Sequence, residues 1–118
     1  MDEATQRVIV SMRGLIEANR NARVVMTQAE QVLVAGIEQL ESGVGIVDAL
    51  KASSVASQRH DTQEALEVAS AARHDLRLQI MAVCLEEGLT PREIAELWGI
   101  SRQRADRFVQ ELKKGTPD

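Results

Sequence analysis

Tyrosine is absent from this chain, and Trp98 and Phe108 are its only aromatic residues. A sandwich or barrel core leans on aromatic and β-branched side chains; a core of Ala, Val, Leu and Ile fits thin helical packing better. Cysteine is scarce too. The single Cys84 cannot close an internal disulfide, so nothing implies an oxidising compartment. In the run "IMAVCL" it reads as a small buried hydrophobe. No apolar run is long enough for a signal peptide or a membrane span, and the start "MDEATQRVIVSMRG" is acidic, so the expected location is the cytoplasm. An excess of positive charge is also missing: 14 Lys and Arg stand against 18 Asp and Glu, a formal charge of −4. That argues against a general basic coat for nucleic acid. His60 and His74 sit in no metal-ligand pattern and read as a loop residue and an exposed helix position. There is no nucleophile–base–orienter set and no glycine-rich phosphate loop after a strand. No metal, no cofactor and no enzyme activity are expected.

What is there is helical period. Hydrophobic residues make up 44% of the 118 and charged ones 27%, a balance that belongs to a folded chain rather than a disordered one. Val8, Met12, Leu15 and Ile16 recur on one helical face, and Val25, Ala29, Val32, Leu33, Gly36, Ile37 and Leu40 continue it. Between them "ANRNAR" is polar, and "TQAE" from Thr27 matches a capping box. One long helix over roughly residues 4–41 is the preferred reading; a helical hairpin is the alternative. "ESGVG" is the first firm break. A short helix in "VGIVDALKA" follows, and serine-rich "SSVASQRHD" reads as a loop. Asp61 then opens a second capping box, "DTQE", for a helix over 62–87 ending before Gly88. Its last turns are apolar nearly all round, which requires packing on several sides.

The densest signal is "LTPREIAELWGISRQRADRF", Leu89 to Phe108. Thr90 is an N-cap, Pro91 suits the first helical position, Glu93 completes a capping box, and Leu89 and Ile94 are placed as a hydrophobic staple. They predict a helix over 91–98. Gly99 tolerates a left-handed turn, and Ser101 caps a second helix over 102–113. Ile100, Ala105, Phe108 and Leu112 should face inward. Two short helices joined by a glycine-containing turn are the pattern of a helix-turn-helix.

On these residues the chain, over about Leu76 to Lys114, resembles the helix-turn-helix superfamily, especially sigma-factor region 4 and small bacterial regulators. "GISRQ" is similar to many small DNA-binding proteins of actinobacteria. Ala105 departs from the family pattern, which usually places a larger aliphatic there; Phe108 would fill the space. The resemblance implies that the outer face of the last helix enters the major groove of double-stranded DNA. Arg102, Gln103, Asp106 and Arg107 would then read bases, by the pairing of Arg with guanine, Gln with adenine and a carboxylate with cytosine. Thr90, Ser101, Arg104, Gln110, Lys113 and Lys114 would contact phosphates. Charge agrees: residues 1–88 carry 8 basic and 13 acidic side chains (−5), residues 89–118 carry 6 and 5 (+1).

The expected architecture is therefore all-α: a long N-terminal amphipathic helix as an arm, then a C-terminal three-helix helix-turn-helix module. Residues 1–60 would form the oligomerisation arm and connecting loop, and residues 61–118 the DNA-binding domain. Val8, Met12, Leu15, Val25, Ala29, Val32, Leu33, Ile37 and Leu40 are the candidate dimerisation residues, since so small a module cannot cover that stripe. An intramolecular bundle is the competing outlet for it. The expected protein is a bacterial or phage transcriptional regulator, nucleoid-associated when bound to DNA. The rival class is an adaptor whose acidic helical body binds a protein partner.

Overall fold

The computed structural model describes residues 2–115, which form helices and the short segments that join and flank them. Helix α1 is Glu3–Glu41, α2 is Ile46–Ala52, α3 is Val55–Glu86, α4 is Pro91–Trp98 and α5 is Arg102–Lys114. The tail expected at "GTPD" lies, beyond Gly115, outside the described residues. No helix among the described residues is long and apolar enough to cross a membrane.

α1 runs unbroken through "ANRNARVVMTQAE". Thr27 does not cap a second helix; its hydroxyl donates back to the Arg23 carbonyl at 2.9 Å, one turn earlier. The break comes at Gly43, whose φ of +99° lets Gly43 N–H reach Leu40 O and Val44 N–H reach Gln39 O, both at 3.1 Å. These two bonds satisfy carbonyls that the helix end would otherwise leave open.

α3 corrects one expectation. The serine-rich stretch taken for a loop is helical from Val55, so Asp61 lies inside the helix rather than capping it, and His60 is a helix residue. Nothing from 55 to 61 is Gly or Pro, and Ser costs a helix only a few tenths of a kcal/mol. Tertiary packing outweighs that small cost. Val55, Gln58 and Thr62 continue inward at heptad spacing, half-buried, and the Gln58 amide donates to Val25 O at 3.2 Å. The Ser54 carbonyl accepts the first helical bond, from Gln58 N–H at 2.9 Å.

The helices build two compact units, and both divisions fall inside α1 and α3 rather than at a linker. In the unit Gly14–Ala72, α1 and α3 meet along small side chains: Ala18 and Ala22 on one, Ala65 and Ala69 on the other, with Ala49 of α2 also buried. Larger apolar residues of this unit stay open, among them Leu33 (62% exposed), Ile37 (54%) and Ile46 (68%).

The other unit joins the residues up to Arg13 with those from Arg73 onward. Met81 and Ile94, each only 1% exposed, form its centre with Cys84 and Phe108. Leu78, Ile80 and Leu85 of α3 pack around them together with Leu89, Trp98, Ile100 and Leu112. The apolar circumference at the end of α3 is accounted for by this cover. Burial raises the Cys84 thiol above its ordinary range, with Glu87 adding to the effect, which suits an inert core residue. Ser11 of α1 joins the unit by donating to Asp75 Oδ2 at 2.6 Å, and Arg7 lies 3.9 Å from Glu86.

Two glycines give a test of opposite signs. Gly99 holds a φ of +73° with open space around it, so Gly99→Ala should cost about 1–2 kcal/mol through backbone conformation alone. Gly14 sits inside α1, also in open space, and Gly14→Ala should stabilise by up to about 1 kcal/mol. Urea unfolding midpoints of the two variants would move apart; movement in the same direction would contradict the backbone assignment.

Candidate nucleic-acid interface

The C-terminal unit carries its candidate site on α4, the turn at Gly99 and α5. At the start of α4, Thr90 Oγ1 accepts from Glu93 N–H at 3.2 Å, and Glu93 Oε1 accepts from Thr90 N–H at 3.1 Å. Both halves of the expected capping box are formed, with Pro91 at the first helical position. The Glu93 carboxyl is held below its ordinary range chiefly by the hydrogen bond from the Thr90 backbone. Gly99, left-handed, closes α4 by donating to Ala95 O at 2.9 Å, and Ile100 turns into the core. Ser101 then caps α5, its hydroxyl accepting from Arg104 N–H at 3.1 Å.

That geometry sets the inner and outer faces of α5. Ala105 is completely buried, with Phe108 and Val109 nearly so. Val109 was not among the residues expected to face inward. It adds aliphatic volume one position from Phe108, on the face where Ala105 is small. Opposite them Arg102, Gln103, Asp106, Arg107 and Gln110 are all exposed, as are Ser101, Arg104, Lys113, Lys114 and, on α4, Thr90. Lys113 and Lys114 sit in the last turn, where the helix dipole favours cations. Among the described residues Arg102, Arg104, Arg107, Lys113 and Lys114 form no ion pair, whereas Arg92 on α4 lies 3.6 Å from Glu96.

The flank of α5 toward α3 was not read from the sequence. His74, expected to be a plain exposed position, is half-buried, with Nε2 2.8 Å from Glu111 Oε1 and its ring centroid 5.5 Å from that of Phe108. The Arg104 guanidinium lies over the Phe108 ring, 5.8 Å from its centroid, within cation–π reach. These side chains, with Arg77 and Arg107, line an open groove of about 410 Å³. Glu111 stands one turn from Arg107 and could have paired with it along the helix. It bonds His74 instead, which leaves Arg107 unpaired. Sequence spacing could not reveal His74 or Arg77 here, because they meet α5 only through the packing of α3.

The cap can be tested by itself. Thr90→Ala should cost about 1 kcal/mol of unfolding free energy, as typical cap removals do. Because the Glu93 carboxyl is depressed in the folded chain, its contribution is present at neutral pH and lost as pH falls through the folded value. Glu93→Gln should therefore flatten the acid limb of the stability–pH curve, measured by thermal unfolding; an unchanged limb would count against the box.

No curated protein and no solved structure matches the chain. Residues 71–118, the end of α3 together with α4 and α5, match the family model of the homeodomain-like domain, consistent with a helix-turn-helix DNA-binding module in this C-terminal part.

Proposed function

We propose that this protein binds double-stranded DNA sequence-specifically as a transcriptional regulator, with α5 lying in the major groove. The observation that carries the reading is the outer face of α5: Arg102, Gln103, Asp106 and Arg107 are exposed together, and neither arginine is held in an ion pair. Those four side chains read base edges, Arg to guanine and Gln to adenine. Thr90, Ser101, Arg104, Gln110, Lys113 and Lys114 contact phosphates and set the register. An adaptor would cover its arginines with carboxylates, and Glu111, one turn from Arg107, is drawn to His74. The groove beside α5 adds Arg77 to the positive field.

Charge and packing both call for two copies. One weakly positive module on an acidic chain holds non-specific DNA poorly and with strong salt dependence. In Gly14–Ala72 the buried apolar side chains of the described residues are all alanines, while Leu33, Ile37, Leu40 and Leu50 are 45–62% exposed. Such an inversion of small inside and large outside suits a surface covered by a partner. A two-fold dimer reads an inverted-repeat site.

Selection from random duplex DNA at low salt should enrich an inverted repeat. On that site Arg102→Ala and Arg107→Ala should each cost about 1–3 kcal/mol and relax specificity, whereas Lys114→Ala should weaken all sequences about equally and lower the salt slope by about one. Failure to enrich any sequence would overturn the assignment of α5 as a reading helix.

A further inference from the structure

α1 carries a flank that its own chain leaves open. From Ile16 to Leu40 this flank includes the exposed large apolar residues Ile16, Met26, Leu33, Ile37 and Leu40, at 38–62% exposure. Met26, Leu33 and Leu40 repeat every seven residues, the spacing at which one helix presents a seam to another. Ala18 and Ala22 hold the buried positions of α1, and these five residues stay exposed beside them. Leu33 also lines an apolar groove of about 510 Å³ whose α3 wall includes Leu66, which is 47% exposed. These six side chains together offer roughly 500–600 Å² of open surface, a large part of the ~800 Å² per partner in a standard interface and at the upper end of what a monomer leaves bare.

The charges on this flank identify the occupant. Ile16, Arg23, Glu30 and Ile37 form one row at seven-residue spacing. Reversed, the row is its own complement: Ile16 falls opposite Ile37, and Arg23 opposite Glu30, twice over. Arg23 and Glu30 are both exposed, and among the described residues neither side chain forms an ion pair. Neither has an opposite charge three or four residues away along α1, where a helix would supply one. A surface whose own charges find their partners only on an inverted copy of itself is the requirement of an isologous two-fold contact.

We propose that a second copy of this chain docks on this flank, α1 against α1 in antiparallel, with the two-fold axis beside Met26. Met26 then meets Met26 of the other copy, and along the neighbouring row one Arg23–Glu30 pair lies on each side of the axis, with an Ile16–Ile37 contact beyond each. This specifies the surface of the two-copy reading given above and rests on it.

Sedimentation of the full chain measures the consequence, with circular dichroism to verify helix content. The wild type should be dimeric at micromolar concentration. Arg23→Glu and Glu30→Arg each place like charges opposite at two symmetric points, and each should weaken the dimer about tenfold. The double variant R23E/E30R should recover to within about threefold of wild type, which a merely structural role for either residue would not produce. Cross-linking reads the direction. In a Cys84→Ala background, Met26→Cys should oxidise to a disulfide-linked dimer and Leu40→Cys should not, since only the residue on the axis meets its own copy. A monomeric wild type would overturn both this surface and the two-copy reading. A dimer whose double variant stays weak, or in which Leu40→Cys cross-links as readily as Met26→Cys, would overturn this surface alone.

Discussion

The left-handed turn at Gly99 is the constraint on which the rest of the C-terminal unit depends. With φ at +73°, the chain leaves α4 in a direction that carries Ile100 into the core and starts α5 at the Ser101 cap. From that starting angle Ala105, Phe108 and Val109 point inward, and Phe108 joins Met81 and Ile94 in the core. Arg102, Gln103, Asp106 and Arg107 are outward for the same reason. The polar face of α5 is thus set by what the apolar face must bury, and each good burial, about 1.5–3 kcal/mol for a large aliphatic side chain, helps hold the orientation.

The formal charge of −4 and a nucleic-acid interface are compatible because charge acts over short distances. At physiological salt the screening length is about 8 Å, so the charges next to α5 count for more than the total for the chain. What matters is the local arrangement, and there the packing of α3 intervenes. His74 engages Glu111 at 2.8 Å, next to the Phe108 ring that Arg104 covers. One carboxylate is thereby drawn to the α3 side, and the arginines keep their donors available.

α1 and α3 divide their surfaces by size. Alanines line the contact within the unit Gly14–Ala72, where backbones can approach closely, and the branched and longer side chains lie on the flanks. A monomer would ordinarily bury the larger groups first, because each buried methylene contributes about 0.8 kcal/mol. The proposed docking of a second copy would bury part of these larger groups.

Much of the fold was legible in the sequence. Capping boxes and glycines are local, so α4 between Thr90 and Gly99 and α5 from Ser101 followed from residues within a turn or two of each end, while the apolar stripe favoured α1 as one helix over a hairpin. Two cap patterns start no helix: "TQAE" at Thr27 lies inside α1, and "DTQE" at Asp61 follows a helix that tertiary contacts have already begun at Val55. The outward set Arg102, Gln103, Asp106 and Arg107 was legible because helical period alone opposes it to Ala105 and Phe108. His74 and Arg77 beside α5, the bond that diverts Glu111, and the choice of alanines rather than larger residues for the α1–α3 contact were decided only by the tertiary structure. Those facts depend on which helices meet and at what rotation. Periodicity marks a residue as inward or outward on its own helix; which partner lies across from it is set by the packing of the whole chain.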